Sequence, residues 1–297
     1  MPVSAEVAAA KPATYEIDMD DVAYLHHGQT TLLARMYKPR GAGPFPMMID
    51  LHGGAWCNGD RHNDRVLCEA LARSGILVAA IDFRQPPEAA YPDVMADINF
   101  SIRWLKANAG QFNGDANNVG MVGISSGGQQ AMLAAMRPAD PRYTAINSPE
   151  TAAFDAAIGC VVLCWPVIDP LGRYQYGHEL VAAGVDVPPN IPSALPSHDK
   201  YWGTEAAMAE GSPLRILEAG EAVALPPVLY LQGTADRMHP RAHLDRFIEL
   251  YRKRSGSIDL ALYDQEVEGF VTRTPRLPEH QTQPTPRIIS FVHSQLG

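Results

Sequence analysis

Residues 119–128 read Val-Gly-Met-Val-Gly-Ile-Ser-Ser-Gly-Gly, and Gly123-Ile124-Ser125-Ser126-Gly127 within them has the form G-x-S-x-G. An apolar strand pattern, Val119 to Ile124, runs into this stretch, and a helical run, Gln129 to Met136, leaves it. A strand-to-helix turn that sharp needs small residues on both sides of the serine, because its backbone is strained and neighbouring chain approaches closely. The turn lifts the Ser125 hydroxyl out of a sheet and into a cleft, where it is a candidate nucleophile. The following helix N-terminus offers free N–H groups and a partial positive charge to a developing oxyanion. Away from such a setting, G-x-S-x-G is often a Gly-Ser turn with no chemistry. Here the strand before and the helix after give it meaning.

A second stretch suits the same chemistry. The apolar run Met47 to Leu51 passes directly into His52-Gly53-Gly54-Ala55-Trp56. Two glycines after a buried strand let backbone N–H groups face a substrate oxygen with no side chain in the way. His52 beside such a loop more often braces it by hydrogen bonds than acts as a base. It has no sequence partner that would make it a metal ligand.

The elements that must position these loops alternate between strand and helix, the pattern of a mostly parallel sheet covered on both faces. Tyr15 to Tyr37 reads as a β-hairpin with His26-His27-Gly28-Gln29 near its turn. Strands are expected at Met47–Leu51, Ile76–Phe83, Val119–Ile124, Ala156–Val167, Val228–Gln232 and Ile258–Tyr263. Helices are expected at Asp64–Ser74, Asp93–Asn108, the run after Ser125, His243–Lys253 and Arg287–Leu296. From Ile168 to Pro213 the periodicity fades, and Pro188, Pro189, Pro192 and Pro196 follow in quick succession. A long irregular stretch inside a compact domain is usually functional, so this one reads as a lid over the site. The alternative is a surface insertion without a role.

Taken together, HGGAW, Gly59-Asp60-Arg61, Asp82-Phe83-Arg84, Pro87-Glu88, Tyr91-Pro92 and GISSGG resemble the α/β-hydrolases related to hormone-sensitive lipase, acetyl esterases and kynurenine formamidase. Tyr201-Trp202, Ser212-Pro213, Leu225-Pro226-Pro227 and Gly233-Thr234-Ala235-Asp236 fit the same group, and the resemblance runs from about residue 20 to the C-terminus. It implies an α/β-hydrolase fold, with a mostly parallel sheet of about eight strands flanked by helices and a small lid. Ser125 then matches the nucleophile, and the N–H groups of Gly53, Gly54 and Ser126 match the oxyanion hole. Asp236 matches the triad acid; a turn or N-cap aspartate is the plainer alternative.

The resemblance also implies a triad histidine after the next strand, in a segment of the form His-Gly-Phe. This chain has Glu268-Gly269-Phe270 there. A serine hydroxyl needs a group that takes its proton and later gives it to the leaving group. A glutamate tuned upward by burial or a neighbouring carboxylate can serve. Three explanations stand open. Glu268 replaces the histidine in a Ser-Glu-Asp arrangement, or another histidine, His239 or His280, moves in, or hydrolysis has been lost and the pocket binds a ligand. The first is the favoured expectation. Trp56, Tyr174, Tyr176 and Trp202 are expected to shape the substrate pocket. Asp60, Arg61 and Arg84 are expected to lock the oxyanion loop. His26, His27 and His293 are expected to be solvated, and His243 to lie on a helix face.

Composition narrows the partners. The chain has 297 residues, 46% hydrophobic and 19% charged, with a formal net charge of -9. That acidic balance, with no Lys/Arg run, argues against a nucleic-acid partner. Four cysteines show no CxxC or metal-ligand spacing, and the hydrolase reading implies no metal or organic cofactor. No apolar run is long enough to cross a bilayer. Residues 1–20 read as a loose tail without a secretion signal, and 21–297 as one domain with the lid at about 168–213. Unpaired cysteines favour a cytoplasmic location. The expected activity is hydrolysis of a small carboxylic ester through an acyl-enzyme. Amide or formamide hydrolysis, or ligand binding on a hydrolase scaffold, are the alternatives. The sequence is compatible with a homo-oligomer.

Overall fold

Eight strands join in one sheet in the computed structural model, which describes residues 14–184, 187–272 and 283–297. They are β1 (Ile17–His27), β2 (Thr30–Pro39), β3 (Phe45–Leu51), β4 (Leu77–Ile81), β5 (Gly114–Ile124), β6 (Val161–Cys164), β7 (Val228–Gly233) and β8 (Ile258–Tyr263). Their spatial order is β1-β2-β4-β3-β5-β6-β7-β8. β1 and β2 pair antiparallel around the turn at Gly28, and β2 meets β4 antiparallel. From β4 to β8 every pairing is parallel.

The continuous apolar runs of the central strands follow from this arrangement, because a parallel sheet is buried on both faces. Side chains alternate between two cores. Met47, Ile49 and Leu51 of β3 join Val119 and Met121 of β5, Val161 and Leu163 of β6, and Val228 and Tyr230 of β7 on one face. Met48, Val122, Val162, Cys164, Leu229 and Leu231 point to the other. The first face is covered by α2 (Asp93–Ala107), α3 (Ser126–Met136) and α8 (Arg241–Lys253). The second is covered by α1 (Arg65–Arg73) and α9 (Pro284–Leu296). After β3 the chain steps outward to β4, then returns to the other side of β3 as β5. Loops after β3 and β5 therefore diverge above adjacent strands, with Leu51 in register with Gly123. Ligand crevices in open α/β sheets form at such a reversal, outside the carboxyl ends of the strands.

Some boundaries differ from the sequence reading. β1 starts at Ile17 and Tyr15 packs edge-on against Phe45 at 5.3 Å, so ordered structure begins inside the segment read as a tail. β6 is four residues, shorter than the apolar run suggested, because Trp165 turns to φ 38° and Pro166 follows. The stretch read as irregular is helical: α4 (Pro170–Ala183), α5 (Ile191–Trp202), α6 (Glu205–Glu210) and α7 (Pro213–Glu218). Several of its prolines start helices rather than break them. Pro170, Pro192 and Pro213 sit in first turns, where no intrahelical N–H bond is lost. The Thr204 and Ser212 hydroxyls cap α6 and α7, accepting from Ala207 N and Arg215 N.

Candidate active site

The strain at Ser125 is local and forced. Its backbone sits at φ 53°, ψ -115°, a region that side-chain-bearing residues rarely occupy. Bonds on both sides hold it there. Its N–H donates to Cys164 O at 2.9 Å, and its carbonyl accepts from Val167 N at 3.1 Å and Gln129 N at 3.2 Å. Gly127 is needed because the oxyanion loop presses on it: a Cβ there would lie 2.1 Å from Leu51 O and 2.4 Å from His52 O. Gly54 takes φ 120° as the loop doubles back on Asn58. The loop is riveted to the elbow by Trp56, whose N–H donates to Ser126 Oγ at 3.2 Å and whose Nε1 donates to Gln129 Oε1 at 2.9 Å. Among the described residues no protein group accepts from the Gly53 and Gly54 N–H groups. Ser126 opens α3, where first-turn N–H groups have no intrahelical partner.

His239 faces the serine. Its Nε2 lies 3.5 Å from Ser125 Oγ, a long contact of the kind that tightens when substrate arrives. On its other side Nδ1 lies 2.9 Å from Asp236 Oδ2. The acid and the imidazole come from one turn between β7 and α8. Asp236 Oδ1 accepts from the N–H groups of Met238 and His239 at 2.8 and 3.1 Å, which folds His239 back over its own carboxylate. Gln232 Nε2 holds the His239 carbonyl at 2.9 Å. Burial pushes the Asp236 carboxyl up, but the His239 ring and the two N–H groups outweigh it and hold the group below the ordinary aspartate range.

Glu268 is placed elsewhere on the same cleft. Its Oε1 accepts from Asn190 Nδ2 at 3.0 Å, and among the described residues the hydrogen-bond partner of Ser125 Oγ is His239. Among the described residues this geometry brings Ser125 together with His239, one of the two alternative histidines, and gives Glu268 no hydrogen bond to Ser125. The reason is the Asp236 turn, which supplies an imidazole before the chain reaches β8. His280, the other candidate, lies outside the described residues.

The cleft above Ser125 encloses about 750 Å³. Its walls include Gly53, Gly54, Asp64, Trp165, Arg173 and Glu268. The four aromatics expected to shape it do not line it. Trp56 and Trp202 are 1% and 3% exposed and pack with Tyr201 behind the wall. Tyr174 donates to Asp199 and Tyr176 to the Arg237 carbonyl. Sequence reasoning missed Trp165, Asp64 and Arg173. Trp165-Pro166 ends β6, next to the elbow strand, and that position was the available signal.

The supporting residues fall into place as braces. His52 Nδ1 pairs with Gly53 O at 2.7 Å, and its ring stacks on Phe83 at 4.5 Å. Burial lowers its affinity for a proton. Arg61 bridges Asp82 and Asp21. Arg84 and His27 both bind the buried Asp97, so His27 is not simply solvated. Nor is His293, which bonds the Ser74 carbonyl at 3.0 Å. Among the described residues, no group of three or more His, Cys, Asp or Glu could hold a metal ion. No helix among them is long and apolar enough to cross a membrane.

A family model described as BD-FAE matches residues 35–249. The chain belongs to the BD-FAE family. The matched span runs from β2 into α8 and holds Ser125, Asp236 and His239, while Glu268 lies beyond its end. Among curated relatives, the chain is 31% identical over 238 residues to the probable carboxylic ester hydrolase LipM of Mycobacterium tuberculosis, covering 79% of this chain and 52% of LipM. It is 33% identical to the esterase LipC of the same organism, covering 72% of this chain and 50% of LipC. The chain thus spans about half the length of these relatives. Among solved structures, the hyperthermophilic esterase of the archaeon Pyrobaculum calidifontis superposes with a TM-score of 0.72 at 21% identity, over 94% of this chain and 87% of that one. The fold is that of the α/β-hydrolases.

Proposed function

We propose that this chain hydrolyses carboxylic esters through an acyl-enzyme on Ser125, with His239 as the general base and acid and Asp236 as its orienting carboxylate. The observation that carries the reading is the relay Ser125 Oγ, His239 Nε2, Asp236 Oδ2, at 3.5 and 2.9 Å. The names of LipM and LipC support the ester class.

The chemistry follows from proton positions. With its Nδ1 proton directed at Asp236, the imidazole turns an Nε2 lone pair to the serine. Ser125 Oγ attacks the ester carbonyl carbon as its proton passes to Nε2. The oxyanion accepts from the N–H groups of Gly53, Gly54 and Ser126, donors aligned before the reaction begins. Collapse breaks the bond to the alcohol oxygen, which leaves with the proton from Nε2. Water then gives a proton to Nε2 and attacks the acyl carbon. A second collapse returns that proton to Ser125 and frees the acid. Asp236 stays ionised and stabilises the imidazolium.

A fluorophosphonate probe tests the reading. Intact mass should rise by one adduct, peptide mapping should place it on Ser125, and Ser125→Ala should remove both the adduct and turnover of aryl acetates. Turnover that survives Ser125→Ala would refute it.

A further inference from the structure

Arg173 is a buried cation whose side-chain hydrogen bonds, among the described residues, go to a neutral ring and to no carboxylate. It lies on α4, is 4% exposed, and lines the cleft that holds Ser125. Its Nε and Nη2 both donate to His198 Nε2, at 3.1 and 2.9 Å. That acceptor must be the lone-pair nitrogen, so the His198 proton sits on Nδ1, a buried atom with no partner. Burial, with the Arg173 charge beside it, pushes the His198 pKa down to about 2, so the ring brings no charge of its own. The guanidinium lies over the Trp56 ring at 5.5 Å. Among the described residues no carboxylate comes within 4.0 Å of it, and Nη1 makes no hydrogen bond.

A buried arginine is ordinarily paired, because removing the ion from water is costly unless a counter-ion offsets the loss. The surroundings of Arg173 instead orient it. His198 fixes one edge, Trp56 supports the face, and the remaining edge is left toward the cleft. Burial lowers its pKa to about 10, so the charge is kept at neutral pH. Glu268 and Asp236 act on it only from a distance, and each is engaged: Glu268 by Asn190, Asp236 by His239. A planar guanidinium with a free edge suits a carboxylate above other groups. Arg173 also borders a cavity of about 10 Å³ next to His239, which places it near the reacting centre.

We propose that Arg173 is a specificity-determining residue that receives a carboxylate carried by the ester substrate. This rests on the serine-hydrolase reading above. The carboxylate can belong to either half of the ester, and two substrate pairs separate the halves. On the acyl side, mono-4-nitrophenyl glutarate is compared with its methyl ester. On the alcohol side, 4-acetoxybenzoate is compared with its methyl ester. In one pair the wild-type chain should favour the acid in kcat/KM by about tenfold or more, and Arg173→Met should cut that preference by at least about tenfold. Arg173→Lys should restore part of it. Comparing each pair's ratio between the wild-type chain and Arg173→Met cancels leaving-group reactivity and general losses of activity.

Calorimetry with glutarate and with 4-hydroxybenzoate needs no turnover. Binding of one of them to the wild-type chain, lost in Arg173→Met, supports the proposal even if hydrolysis fails, which separates it from the serine-hydrolase reading. Should Arg173→Met fail to fold, the wild-type preference and competitive inhibition of neutral-ester turnover by the same acids decide the matter. A wild-type chain that prefers the neutral ester in both pairs and binds neither acid overturns the proposal. So does a preference that Arg173→Met leaves unchanged.

Discussion

Asp64 is a buried carboxyl whose titration is linked to folding. It precedes α1, lines the cleft, and stands close enough to Asp50 of β3 to raise it. Burial pushes Asp64 up to about 7 from 3.8, and burial together with Asp64 holds Asp50 well above the ordinary range. One oxygen of each carboxyl has no partner among the described residues. A raised aspartate favours the folded chain when protonated. The Asp64 contribution is therefore complete below the ordinary value of 3.8 and is lost as pH rises through about 7. At about 1.4 kcal/mol per unit, the effect is on the order of a few kcal/mol. Asp64→Asn should raise Tm at pH 8 and shrink the difference between pH 5 and pH 8 melts. An unchanged pH dependence would show that Asp64 does not titrate in this range. No sequence pattern marks this pair, because the reason for its state is the burial that the folded chain imposes on both carboxyls. The candidate roles of Ser125, Gly53 and Gly54 were legible because backbone constraints dictate their neighbours, and that of Asp236 was legible through the resemblance. The position of His239 was not. It depends on how Asp236 caps its own turn, and the chain also offered Glu268 at a position the resemblance favoured.

At the scale of elements, the site is a meeting of two loops under compression. β3 delivers the Gly53-Gly54 loop and β5 delivers the elbow, and Gly127 is where they touch. Gly127→Ala should therefore cost about 3 kcal/mol or more by overpacking, and should disable labelling of Ser125 in the fraction that folds. A stable variant that labels normally would mean the loops have room to separate. The parallel strands could be read from sequence because burial on both faces leaves uninterrupted apolar runs, as in Val161–Cys164. The cap could not. Proline within the first turn of a helix and proline in a loop look alike in sequence, so α4, α5 and α7 were hidden behind Pro170, Pro192 and Pro213. The pocket aromatics were misplaced for a related reason. Trp56 and Trp202 are amphipathic enough to line a cleft, but Trp56 is used to fasten the oxyanion loop and Trp202 packs against it.

At the scale of the whole molecule, the proposed relay can form only once the sheet is assembled. Ser125 ends β5, Asp236 and His239 follow β7, and β6 separates the two strands. The short β6 and the turn at Trp165 open the space in which the groups meet. Two helical layers bury the sheet on both faces, so this edge can stay open without exposing the core. The account rests on which group at that edge takes the serine proton. The direct measurement is kcat/KM on an aryl acetate for His239→Ala and Glu268→Gln, each checked for an unchanged melting profile. The relay predicts a loss of at least about 10³-fold for His239→Ala and a loss of less than about tenfold for Glu268→Gln. The reverse result, Glu268→Gln inactive and His239→Ala nearly normal, would contradict it.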